Sequence, residues 1–94
     1  MNSKLIHRFK DITAEGDIIE AVIWKVPNSV KPSEHLYKYR MVYVVDGERV
    51  VGFDNERGKG DHCHLDGIER VYNFTTVDQL MADVIAEIEK RRKQ

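Results

Sequence analysis

One cysteine, two prolines and one tryptophan occur among the 94 residues. The lone Cys63 closes no internal disulfide, which excludes a disulfide-stapled scaffold and points to a reducing compartment. No apolar run approaches the roughly 18 residues of a membrane span, and no apolar segment follows the opening Met-Asn-Ser-Lys, so neither a membrane helix nor a signal peptide is expected. The expected location is the cytoplasm. Charge of one sign is lacking too. Fifteen basic and sixteen acidic residues leave a net charge of −1, so no global field draws in a polyanion. Any such contact must come from a local cluster. The run Lys90, Arg91, Arg92, Lys93 is one, although cations at a helix C-terminus also suit the helix dipole. Repeats and low-complexity stretches are absent.

What is present reads as a single domain over residues 1–94. A chain this short buries only about 60–65% of its unfolded surface, which leaves room for a homodimer or another partner to contribute. Period-two patterning predicts strands over Leu5–Thr13, with Leu5, His7 and Phe9 on one face, and over Ile18–Val26, apolar on both faces. Pro27 ends the second strand. After a loop over 27–36, Tyr37–Val45 and Glu48–Asp54 flank Asp46-Gly47, a strong type I′ hairpin signal. A two-residue turn there pairs Val42 with Val51 and Arg40 with Phe53. It places Arg40, Val42, Val44, Val51 and Phe53 on the core face, and Tyr39, Met41, Tyr43, Val50 and Asp54 on the outer face. That outer face is a candidate pairing surface for a second chain. Glu69–Phe74 reads as a fifth strand. Thr76, with Gln79 three residues on, opens a helix, and Val77, Leu80, Met81, Val84, Ile85 and Ile88 give it an apolar stripe. The fold class is therefore α+β: an antiparallel β-sheet of about five strands, a meander of hairpins, covered on one face by a C-terminal amphipathic α-helix.

Residues 54–67 read as a long polar loop, and loops of that length in small domains are usually functional or disordered. His62 and His64 project to one side if the backbone is extended, with Cys63 opposite. Three chemistries fit. In metal-free RNA cleavage, His62 and His64 serve as acid and base, Arg57 and Lys59 hold the phosphate, and Tyr39 or Tyr72 stacks a base. In a metal site, His62 and His64 need a third ligand from Asp61, Asp66 or Cys63. In a structural loop, Asp61, His62 and Asp66 satisfy backbone groups. Gly58-Lys59-Gly60 is not a phosphate-binding P-loop, since no Gly-Lys-Ser/Thr and no helix follow. His7 and His35 are isolated and read as surface or packing residues.

The stretch from Val50 through Asp54-Asn55-Glu56-Arg57-Gly58-Lys59-Gly60-Asp61-His62, with His64 after it, resembles the TumE family of small bacterial and archaeal proteins. Ile23-Trp24-Lys25-Val26-Pro27, Tyr37-Lys38-Tyr39-Arg40 and the helix start at Phe74, Val77, Gln79-Leu80 and Asp83 are similar as well. The resemblance implies a toxin of a toxin–antitoxin pair, acting on RNA and neutralised by a cognate antitoxin. The motif positions carried over are Asp54, Asn55, Arg57, Lys59, Asp61, His62 and His64. The expected catalytic set is then His62, His64, Arg57, Lys59, Asp54 and Asp61. Tyr39, Arg40, Asn55 and Tyr72 are expected to bind substrate, and no cofactor or metal is expected. The competing expectations are a non-catalytic binding or dimerisation module, and a metal-binding domain at His62 and His64.

Overall fold

Two Asp-Gly dipeptides, not one, each turn a hairpin of this chain. The computed structural model describes residues 2–92, so Lys93 of the basic run lies outside the described residues. Six antiparallel strands follow one another in sequence order: β1 (Lys4–Ile12), β2 (Ile18–Lys25), β3 (Tyr37–Val45), β4 (Glu48–Glu56), β5 (Gly60–Leu65) and β6 (Ile68–Val71). One helix, α1 (Val77–Arg92), closes the chain. The α+β class and the helix over a meander sheet are as the patterning predicts; the strand count is six, not five.

The extra strand comes from the segment that reads as a loop. Residues 54–67 are a hairpin: β4 runs on to Glu56, residues 57–59 turn, and β5 returns, pairing Glu56 with Gly60 and Asp54 with His62. Asp66-Gly67 then turns the chain into β6, with φ of 53° and 86°, much as Asp46-Gly47 joins β3 to β4 with 52° and 77°. Both dipeptides occupy the left-handed region that a type I′ turn needs.

The predicted register of β3 and β4 is corrected by one residue. Val45 faces Glu48 and Val44 faces Arg49, but a bulge at Val50 then puts Tyr43 opposite Val51, Met41 opposite Phe53 and Arg40 opposite Asp54. Because side chains alternate with period two, a one-residue slip reverses every face beyond it. The helix-covered face therefore carries Tyr39, Met41, Tyr43, Val51 and Phe53, all buried. Arg40 is exposed on the opposite face, where Val42 lies too. The aromatic outer face expected to pair with another chain is in fact the core. A second bulge, between Leu5 and His7, likewise separates Leu5 from the face of His7 and Phe9.

Leu80, Val84 and Ile88 of α1 are buried on this core against Met41, Val51, Phe53 and Cys63, while Ile85 of the predicted stripe is half exposed. Thr76 Oγ1 accepts the Gln79 N–H at 3.0 Å, as a cap should. The Gln79 side chain turns instead to Asp83. Arg91 donates to both oxygens of Asp66, at 3.0 and 2.8 Å, and pins the helix end to the β5–β6 turn. Leu80 is fully buried, so Leu80→Ala is expected to cost about 3 kcal/mol, read as a shifted urea midpoint.

Candidate functional site on the open sheet face

The face away from α1 is read most simply as rows running across the strands. One row is Arg8, Val22, Arg40, Asp54, His62, Val71, each residue the register partner of the next. The adjacent row is Lys10, Glu20, Val42, Gly52, His64, Glu69. With strands about 4.8 Å apart, two basic side chains and a carboxylate–histidine pair fall on one line. Arg8, Lys10 and Arg40 line a groove of about 340 Å³ at its β1–β3 end.

His62 is the fixed point. Its ring is buried, and Nδ1 lies 2.9 Å from the carbonyl oxygen of Gly60. A carbonyl only accepts, so Nδ1 carries a proton and donates it. Nε2 then lies 2.6 Å from Asp54 Oδ1, and that oxygen is buried with no hydrogen-bond partner among the described residues. In the neutral ring, two acceptors face each other, and a close approach of that kind needs a cation or a proton between them. The His64 ring stands edge-on to His62 with centroids 5.4 Å apart. Glu69 accepts from Lys59 Nζ at 2.9 Å, and its second oxygen is 3.9 Å from His64 Nε2. That ion pair raises the Lys59 pKa and lowers that of Glu69.

Gly60 buttresses this arrangement. Its φ of +78° suits glycine, and a Cβ there would meet Pro32 Cγ at 3.1 Å. The Gly58 N–H also donates to the Lys31 carbonyl at 2.8 Å, tying the hairpin turn to the loop before β3. Gly60→Ala is expected to lower the melting temperature by several degrees, roughly 1 kcal/mol or more from the left-handed backbone alone.

The remaining expected site residues separate from this centre. Arg57 is exposed on the hairpin turn. Asp61 points to the helix side, where it accepts from Tyr39 Oη at 2.9 Å and from His35 Nε2 at 2.9 Å. It orients His35 and not His62 or His64. Tyr39 is buried, and burial followed by the Asp61 hydrogen bond keeps its hydroxyl protonated far above the ordinary range. Tyr72 is on the same side, donating to Asp83 at 2.6 Å. Asn55 is fully buried: Oδ1 accepts from the Tyr39 N–H, and Nδ2 donates to Ser33 Oγ and the Tyr37 carbonyl. Its geometry is that of a clasp on the loop before β3.

Two residues outside the expected set belong in the description. His35, read as isolated, is locked: Nδ1 accepts the Tyr37 N–H, Nε2–H reaches Asp61, and the ring stacks on Phe74 at 3.8 Å. It borders a cavity of about 560 Å³ with Lys59, Asp61 and Tyr72. Its partner is 26 residues away, so no local pattern announces it. Arg49 lays its side chain over Gly52, where an added Cβ would meet Arg49 Cδ at 3.0 Å. Gly52 is the strand partner of His64, so this arginine lies over the position beside that histidine.

Cys63 faces the core, away from both histidines, and burial, then the Glu87 charge, pushes its thiol pKa up. The native protein is expected to resist iodoacetamide at neutral pH and to react fully once denatured; rapid native labelling would contradict the buried placement.

A sheet with one face closed by a helix and the other open, bearing a carboxylate–histidine centre, defines a small α+β protein with a polar surface site. Across residues 2–92 the sequence matches the model of the family described as Toxin TumE. The chain belongs to the TumE toxin family, which makes it the toxin of a toxin–antitoxin system and implies an antitoxin partner. No curated protein and no solved structure gives a match. No helix among the described residues is long and apolar enough to cross a membrane.

Proposed function

We propose that this toxin cleaves RNA by metal-independent acid–base chemistry on the open sheet face. The carrying observation is the Asp54–His62 contact at 2.6 Å beside His64, on a row that also holds Arg8 and Arg40. His64 is the more accessible of the two rings and takes the proton of the 2′-hydroxyl. O2′ then attacks phosphorus, and the bond to the 5′-oxygen breaks. The Asp54–His62 pair returns a proton to that leaving oxygen, so a 2′,3′-cyclic phosphate and a 5′-hydroxyl result. Lys59, Arg40 and Arg49 offer cationic groups for the phosphate, and Arg57 reaches it only from the turn. Arginine is suited to this because its fork matches two phosphate oxygens.

RNA binding is tested apart from cleavage. In His64→Ala, held inactive, a second change of Arg40→Ala is expected to weaken binding of a single-stranded RNA oligonucleotide and to flatten its salt dependence by about one charge. An unchanged salt slope would remove Arg40 from the RNA path.

A further inference from the structure

We infer that His62, His64 and Glu69 form a binding site for one divalent transition-metal ion, zinc the best suited, with Asp54 beside it. The ligand atoms of these three residues lie within 4.8 Å of one another, and those of Asp54, Glu56 and His62 form a second such group sharing His62. A tetrahedral ion with bonds of about 2.0–2.1 Å holds its ligand atoms about 3.3 Å apart, so small side-chain rotations suffice. Proximity is not the only ground. His62 is buried, and its Nδ1–H is committed to the Gly60 carbonyl. This is the outer hydrogen bond that fixes a metal-binding imidazole, leaving the Nε2 lone pair to face the ion. That lone pair also faces the buried Asp54 Oδ1 across 2.6 Å, a contact that either a proton or a cation satisfies. Glu69 is held by Lys59 through one oxygen and keeps the other toward His64.

The donor set selects the class of ion. Two imidazoles with carboxylates favour zinc or another late first-row metal. Magnesium and calcium prefer all-oxygen sites. The ion takes the same Nε2 atoms that acid–base chemistry needs, so occupancy and metal-free cleavage exclude each other. The site itself does not rest on the ribonuclease reading. If that reading holds, zinc switches the toxin off.

The test is a titration of the purified, chelator-treated full chain with ZnCl₂ by calorimetry, followed by the same titration of His64→Ala and Glu69→Gln with their folds checked by circular dichroism. One equivalent of zinc is expected in the wild type, with affinity reduced at least roughly ten-fold in each variant. His7→Ala, on β1, is expected to bind as the wild type does. No saturable binding, or affinity unchanged in His64→Ala and Glu69→Gln, would overturn the site. RNA cleavage is read separately. Zinc binding without any cleavage sinks the ribonuclease reading and leaves the site, whereas cleavage that zinc does not inhibit, with no binding, sinks the site and leaves the ribonuclease.

Discussion

His64→Ala is expected to relieve the growth arrest caused by inducing this toxin and to slow RNA cleavage by roughly 10²–10⁴-fold, the usual contribution of one general acid or base. His64 is the better target of the pair. It is partly exposed, and no hydrogen bond to the backbone depends on its ring among the described interactions, so alanine leaves the hairpin intact. His62 is buried and bonded to Gly60, and its removal perturbs fold and chemistry together. Asp54→Asn separates the two effects. It keeps the shape of the side chain but removes the charge opposite His62 Nε2, and cleavage is expected to fall by a comparable factor with little change in melting temperature. Matched soluble expression of each variant in the growth assay makes the comparison fair. Arrest that persists in both His64→Ala and Asp54→Asn would move the toxic activity away from this face.

Asn55→Leu is expected to be the most destabilising single change in the motif. The side chain is fully buried and makes three hydrogen bonds, to the Tyr39 N–H, to Ser33 and to the Tyr37 carbonyl. Leucine fits the volume but leaves the Tyr39 amide without its acceptor, a cost of roughly 3 kcal/mol once the desolvated group is counted. For a chain of this size that is a fall of roughly 15 °C in melting temperature. The loop before β3 should loosen with it, since Asn55 and the Gly58–Lys31 hydrogen bond are ties between that loop and the β4–β5 hairpin. Thermal denaturation reads the stability, and limited proteolysis within residues 26–36 reads the loosening. A melting temperature within 3 °C of wild type would contradict the assigned role.

Much of the fold is legible in the residues because its signals are local. Asp46-Gly47, the alternation in Ile18–Lys25, Thr76 and the spacing of Leu80, Val84 and Ile88 each act within a few positions. The bulge at Val50 is not legible: no glycine or proline marks it, and it is settled by which face α1 covers. Its consequence is large, since it moves Tyr39, Met41 and Tyr43 into the core and brings Arg40 out beside Asp54. Strand β5 was concealed by its composition. Gly60, Asp61, His62 and His64 have low strand propensity, and only the second Asp-Gly pair at 66–67 marks the return of the chain. Of the motif residues, Asp54, Lys59, His62 and His64 lie near one another in space. Neighbours in sequence nonetheless part by face, so Asp61 joins Tyr39 and His35 on the far side, while Glu69 arrives from β6 and Arg49 from the start of β4.

The most direct measurement is cleavage of a short single-stranded RNA by the purified toxin in excess EDTA, beside the all-deoxy oligonucleotide of the same sequence. The account predicts that the RNA is cut, leaving a 2′,3′-cyclic phosphate, and that the DNA, which lacks the attacking hydroxyl, is untouched. Cutting of both strands, or cutting of RNA only after a divalent metal is restored, would contradict it.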